Sequence, residues 1–206
     1  MWQNNAVTTI SLIRHGQTDW NLQHRIQGST DIPLNDTGRA QARMAADELL
    51  TTTAPWDLIY TSPLSRARET AEIIADILHL PAPMIAPDMV ERSFGEVEGL
   101  TDEERSATFP AGVPVPGSES REDLRSRGVA AIARIADAHP DKRVIAVSHG
   151  GLLGQILRHI THEALPGPLD MIPNGSATII ERDAAGSWAV LRESIIRGAR
   201  EHAPVP

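Results

Sequence analysis

The sequence predicts an α/β fold: a mainly parallel central sheet with helices on both faces and a small cap insertion at the carboxyl ends of the strands. Two observations carry that expectation. Short apolar runs at Thr8–Ile13, Asp57–Thr61 and Arg143–Val147 are interleaved with stretches of helical periodicity, and right-handed crossovers between such strands place helices on both sides of the sheet. Between residues 88 and 118 the rhythm breaks, with acids alternating through Val90–Gly99 and prolines and glycines crowding Phe109–Ser118. That composition predicts irregular chain. The 206 residues therefore read as a single domain, 1–206, with a cap inserted at about 88–118.

In order along the chain, Thr8–Ile13 is a buried strand, and residues 14–36 form a long polar loop punctuated by Gly28 and Pro33. Asn35, Asp36 and Thr37 are helix-capping types, and Ala40, Ala45 and Leu49 extend a helix to about Leu50. Asp57–Thr61 is a second strand, Ser62-Pro63 a turn, and Arg66–Leu78 a second helix with Ala67, Thr70, Ala71, Ile74, Ile77 and Leu78 along one side. Met84–Ala86, bracketed by Pro83 and Pro87, is a short strand, and Thr101 and Glu104 have capping-box spacing for one short helix in the insertion. Glu119–Ala138 is a long helix, Arg143–Val147 a buried strand, and Leu152 to about Ile160 a helix. Ala177–Arg182 and Trp188–Leu191 form a terminal hairpin that supplies an antiparallel edge strand, and the tail after Arg197 is expected to be loose.

Composition narrows the function. A net charge of −8 argues against a dedicated nucleic-acid binder. With no cysteine, disulfides, thiolate catalysis and thiolate metal sites are excluded. No apolar run approaches the ~20 residues that span a bilayer, and the opening MWQNNAVTT lacks the pattern of a secretory signal. A cytoplasmic protein without membrane or nucleic-acid partners is the expectation; no motif speaks to its oligomeric state.

The chemistry concentrates at three strand-to-helix junctions. The first strand runs into Arg14-His15-Gly16, the second leads through Ser62-Pro63 to Arg66, and Arg143–Val147 runs into Ser148-His149-Gly150-Gly151. Ligands of open α/β sheets bind beyond the carboxyl ends of the strands, so two histidines and two arginines are expected on one rim beside free helix N-termini. Arginine forks, amide donors and imidazoles suit a phosphate group. Phosphoryl transfer is served by positioning and by charge aimed at the equatorial oxygens, and a histidine with one unprotonated nitrogen is a nucleophile. Arg14 and Arg66 are expected to disfavour the imidazolium form of His15, and an acceptor such as a carbonyl near Gly16 to fix its tautomer. A metal site is the competing use of the two histidines, with Asp19 or Glu91 as a third ligand, although Arg14 would repel a dication. His159, His162 and Glu163 read as surface groups near a helix end.

Arg14-His15-Gly16-Gln17-Thr18-Asp19-Trp20-Asn21 resembles the signature of the histidine phosphatase superfamily, in its phosphoglycerate mutase-like branch. Further blocks resemble the family in order: Arg25-Ile26-Gln27-Gly28 with Pro33-Leu34 and Thr37-Gly38; Tyr60–Ala67 with Thr70-Ala71; Glu91 with Phe94-Gly95 and Glu98-Gly99; Ser148–Gly151; and Asn174-Gly175-Ser176. The resemblance implies that His15 is a nucleophile that becomes phosphohistidine, that Arg14, Arg66 and His149 hold the phosphoryl group, and that Asn21 and Gln27 add hydrogen bonds. It implies Glu91 as the acid for the leaving alcohol and then the base for water, with Asp88, Glu96 and Glu98 as neighbouring carboxylates. It also implies that no metal or organic cofactor is required.

The resemblance further implies a choice between hydrolase and mutase. Mutase-like members carry a longer cap rich in Arg and Lys, whereas Glu91–Ser118 is short and sets Glu96, Glu98, Asp102, Glu103 and Glu104 against Arg92 and Arg105. This cap is similar to those of broad-specificity and ribazole-type phosphatases, with sugar-phosphoglycerate phosphatases as further near relatives. The expectation is a metal-independent phosphatase acting on phosphate monoesters of small metabolites. A cofactor-dependent phosphoglycerate mutase and a catalytically silent phospho-ligand binding module are the alternatives.

Overall fold

The computed structural model describes residues 7–167 and 170–194. Its six-stranded sheet has the order β3-β2-β4-β1-β5-β6. The strands are β1 (Thr8–Arg14), β2 (Leu58–Thr61), β3 (Met84–Ile85), β4 (Arg143–Ser148), β5 (Ala177–Arg182) and β6 (Trp188–Arg192). The first four are mutually parallel where they pair, with Ile10 opposite Val144 and Leu58 opposite the same residue on the other side. The helices are α1 (Asp19–Leu22), α2 (Asp36–Leu50), α3 (Ser65–Ile77), α4 (Asp102–Thr108), α5 (Arg121–Ala138) and α6 (Gly150–Ile160).

Strands covered on both faces read as continuous apolar runs, because alternate side chains enter different layers of core. Ile10, Leu12, Val144 and Ala146 pack with Leu124, Ile132 and Ile135 of α5 and Leu152 and Ile156 of α6. Ile13, Ile59, Ile145 and Val147 pack on the opposite face with Ala45, Ala46 and Leu49 of α2 and Ala67, Ala71 and Ile74 of α3. Helices therefore flank both faces of a mostly parallel sheet, as the alternation of strand and helix predicts.

Three details differ from the sequence reading. The hairpin supplies the expected antiparallel edge strand in β6 but does more than that: its other strand, β5, lies inside the sheet and pairs antiparallel with β1, Ile13 facing Ala177. The loop at 14–36 contains α1, a single turn too short for periodicity to reveal, closed by a capping box between Thr18 and Asn21. Helix limits also shift: α6 begins at Gly150, while Ser120 caps α5 and leaves Glu119 outside it. The expected looseness after Arg197 lies outside the described residues.

The segment at 88–118 holds α4, whose Thr101–Glu104 capping box forms as expected, and a 3₁₀ turn at Gly95–Val97. It is tied down at the carboxyl end of the sheet. Ser148 Oγ at the end of β4 donates to Met89 O at 2.8 Å, and Arg25 Nη1 donates to Gly99 O at 2.6 Å. Among the described residues no helix is long and apolar enough to cross a membrane.

Candidate active site

His15 leaves β1 with its backbone held from both sides: its N–H donates to Ser148 O at 2.9 Å, and its carbonyl accepts from Asn174 Nδ2 at 2.9 Å. Its Nδ1 lies 2.7 Å from Gly16 O. A carbonyl can only accept, so Nδ1 carries the proton and Nε2 presents a lone pair. Gly16 and Gly38 make this turn possible by close approach, since a Cβ on Gly16 would lie 2.2 Å from Gly38 O.

His149, the residue preceding α6, brings its ring to a centroid distance of 5.1 Å from that of His15. Its Nε2 lies 2.8 Å from Ser62 Oγ, and that hydroxyl accepts from Leu64 N–H at 3.3 Å. The hydroxyl keeps its proton to donate to Nε2 and a second lone pair to accept from it, and His149 Nδ1 is a buried atom without a hydrogen-bond partner among the described residues.

Arg66, fully buried in the first turn of α3, donates from Nη2 to Gly28 O at 2.7 Å and from Nη1 to Thr30 O at 2.8 Å. Those carbonyls belong to a loop gripped by Glu98, whose carboxylate accepts from the backbone and hydroxyls of Ser29 and Thr30 and from Phe94 N–H. Burial alone would push the Glu98 carboxyl up, but the Thr30, Ser29 and Phe94 donors outweigh it and hold it below its ordinary value. Gly28 is required here: its φ is +56° and a Cβ would sit 2.1 Å from Glu98 Oε1. Arg14 is anchored by Nη1 donating to Ile172 O at 2.7 Å.

Asn21 and Gln27 share an organiser. Thr18 N–H donates to Asn21 Oδ1 at 3.1 Å, Thr18 Oγ1 donates to Gln27 Oε1 at 3.0 Å, and Asn174 Nδ2 donates to Asn21 Oδ1 at 3.3 Å. With both carboxamide oxygens engaged, each side chain has its amino group left to donate to an anion. Glu91 is held at the N-terminus of α6, Oε2 accepting from Gly151 N–H at 2.9 Å and Oε1 from Leu152 N–H at 3.1 Å. The neighbouring carboxylates are placed otherwise: Asp88 pairs with Arg134 at 2.7 Å, Glu98 grips the 29–30 loop, and Glu96 is exposed.

Both histidines are driven towards neutrality. Burial, then Arg14 and Arg66, lower the His15 pKa well below its ordinary value, against a smaller opposing effect of the Gly16 carbonyl. Burial, then His15, Arg66 and Arg14, do the same to His149. In the unfolded chain each titrates near ~6.5, so below that pH the unfolded state binds more protons than the folded state. Stability is accordingly full above pH ~6.5 and declines as pH falls towards the folded pKa values, by up to about 1.4 kcal/mol per pH unit for each histidine. Urea midpoints measured between pH 7.5 and 5 should show this decline (pH values about those of the histidine window), and a flat profile would contradict the buried neutral pair.

The structure thus brings Arg14, His15, Arg66 and His149 together, with Glu91 close enough to Arg66 to interact with it electrostatically. His159 and His162 are exposed, and among the described residues no three His, Asp or Glu side chains are grouped to hold a metal ion. Sequence reasoning missed Thr18, Ser62 and Asn174 as parts of the site. Each lies inside a block that resembles the family, but each reads locally as a turn or cap residue.

This rim, at the carboxyl ends of parallel strands and built of two histidines and two arginines, is that of a phosphoryl-handling α/β enzyme. The family model of the histidine phosphatase superfamily (branch 1) matches residues 10–195, and the chain belongs to that superfamily. An uncharacterized phosphatase, PhoE, of Bacillus subtilis is 43% identical over 155 residues, 75% of this chain and 78% of that protein. A metal-independent phosphoserine phosphatase of Arabidopsis thaliana is 37% identical, over 80% of this chain and 74% of its own length. A mycobacterial glucosyl-3-phosphoglycerate phosphatase solved with VO3 superposes with a TM-score of 0.79 at 27% identity, covering 90% of this chain and 98% of that one. Proteins named as phosphoglycerate mutases are among the relatives too.

Proposed function

We propose that the protein is a metal-independent phosphatase that hydrolyses phosphate monoesters of small metabolites through a phosphohistidine at His15. The observation that carries this reading is the 2.7 Å contact between His15 Nδ1 and Gly16 O, which leaves Nε2 as a free nucleophile among Arg14, Arg66 and His149. Nε2 attacks phosphorus as the bond from phosphorus to the alkoxy oxygen breaks, and the Glu91 carboxyl gives its proton to the leaving alkoxide. Glu91 then takes a proton from water, whose oxygen attacks phosphorus as the P–N bond breaks, and inorganic phosphate leaves. Arg14, Arg66, His149 and the amino groups of Asn21 and Gln27 bear the charge of the transferring group.

Phosphorylated carboxylic acids and their sugar derivatives are the first substrates to try, since relatives and neighbours are named for phosphoserine and glucosyl-3-phosphoglycerate. Phosphate release over a panel of phosphoserine, phosphoglycerates, sugar phosphates, nucleotides and ribazole phosphate tests the reading. Turnover of at least one ester is expected. The relatives named as mutases favour a second reading, and conversion of 3-phosphoglycerate to its 2-isomer, dependent on the 2,3-bisphosphate and without phosphate release, would establish it. Ligand binding with neither reaction would make the protein a silent binding module.

A further inference from the structure

Beyond the 3₁₀ turn at Pro87–Met89, the chain carrying Glu91 belongs to no strand or helix. The carbonyls of such a segment have no ladder to satisfy them. Across the end of the turn and the first residues beyond it, four consecutive carbonyls, from Asp88 to Glu91, are met by side chains. Arg127 Nη1 donates to Asp88 O at 2.9 Å and to Val90 O at 2.8 Å, Arg127 Nη2 donates to Glu91 O at 3.1 Å, and Ser148 Oγ takes Met89 O. The remaining donors of Arg127 go to Glu119, Nε to Oε1 at 2.7 Å and Nη2 to Oε2 at 3.0 Å. A guanidinium has five N–H donors in a planar fork, and each here meets a different acceptor atom. Glu119 is itself fixed by its N–H donating to Ser93 O and its carbonyl accepting from Arg92 Nε, both at 2.8 Å.

We propose that Arg127 is the positioning residue for the Glu91 carboxyl, acting through the backbone of Asp88–Glu91 and not on the substrate. The inference rests on the reading of Glu91 as proton donor. Two helices then set where that proton is delivered: α6 holds the carboxylate oxygens through Gly151 and Leu152, and α5 holds the main chain through Arg127. Every Arg127 N–H is committed, so none is left to grip a phosphate. Loss of the fork leaves three carbonyls without their donor, and the segment must move to recover partners. A misplacement of ~1 Å in a reacting group costs on the order of 10²-fold in rate.

The test uses leaving-group dependence, which a general loss of structure would not produce. The quantity is kcat/KM, which reports the steps through phosphoryl transfer to His15 and not the later hydrolysis. The two substrates are the best alkyl phosphate from the panel, whose alkoxide needs a proton, and 2,4-dinitrophenyl phosphate, whose phenolate leaves without one. General acid catalysis is worth ~10²–10⁴-fold. Arg127→Met is therefore expected to lose ~30- to 100-fold on the alkyl ester and less than ~3-fold on the activated one. Arg127→Lys keeps the charge but not the fork, and it should show the same selectivity, which keeps the test open if Arg127→Met does not fold. Equal losses on both esters in the Arg127 variants, with Glu91→Gln still selective for the activated ester, overturn the positioning role alone. A Glu91→Gln variant without that selectivity removes the acid role and the proposal with it.

Discussion

Replacing His15 with alanine is expected to abolish phosphate release and the phosphorylated protein together. Rapid-quench mass spectrometry of the wild type with p-nitrophenyl phosphate should show one added phosphoryl group, labile to acid and stable to base, as expected of a phosphoramidate. His15→Ala should show none, with turnover reduced by a factor of ~10⁵ or more, in line with removal of nucleophiles elsewhere. The size of the effect follows from the site. In the proposed mechanism Arg14, Arg66 and His149 hold the phosphoryl group, but none can replace the Nε2 lone pair. Water entering the emptied space would have to attack with no base held against it on the His15 side. Appreciable turnover in His15→Ala would mean direct attack by water and would sink the covalent mechanism. The same variant gives a second reading: removing one of the two buried imidazoles should reduce the decline of stability below pH ~6.5 by up to one proton's worth, about 1.4 kcal/mol per pH unit.

Arg66 should have the next largest effect. Its guanidinium is fully buried and bonded to the Gly28 and Thr30 carbonyls, and among the described residues no carboxylate pairs with it directly. Burial lowers its pKa, against the attraction of Glu91, Asp31 and Glu98. The guanidinium nonetheless stays protonated, so the fold maintains a desolvated cation, which in the proposed mechanism faces the phosphoryl group. Arg66→Met is expected to lower kcat/KM by ~10³-fold or more, the range found for arginines that bear phosphoryl transition-state charge. Arg66→Lys should fall between Arg66→Met and wild type, because a point charge cannot span two loop carbonyls and a phosphoryl oxygen at once. Stabilisation of the protein by inorganic phosphate, read as a shift in melting temperature, should be lost in Arg66→Met. Activity within ~10-fold of wild type would take Arg66 out of the transition state.

The core of the fold was legible because its signals are local. Val144–Val147 is apolar on four consecutive residues and Ile10–Ile13 is interrupted only by the small Ser11, the pattern of strands sandwiched between two helical layers. The RHG and SHG junctions were legible for a related reason: a histidine at the end of such a strand has a predictable position relative to the rim. What stayed hidden depends on contacts between distant parts of the chain. The insertion of β5 beside β1 leaves no trace in either strand's own pattern. Ser62 reads as a turn residue until His149 arrives, and Asn174 reads as a turn until His15 O and Asn21 Oδ1 lie within its reach. Arg127 sits on an alanine-rich helix as one more charge, and nothing near it in sequence announces three carbonyls some 36 to 39 residues away.

The position of β1 between β4 and β5 also bears on how the protein comes into being. Among the described residues, the strand that leads into His15 pairs only with strands that begin at Arg143 and Ala177. Synthesised before both of them, it must wait for each neighbour to follow. Pairings so distant in sequence slow folding, because loop closure precedes the contacts that reward it. During synthesis the apolar run Ile10–Ile13 is an unpaired strand open to association with other chains. A fragment ending before residue 143 lacks both neighbours of β1, and should precipitate more readily than the whole chain and show no stabilisation by phosphate. Assembly of the rim is thus a late event in folding, completed only when β1 has met β4 and β5.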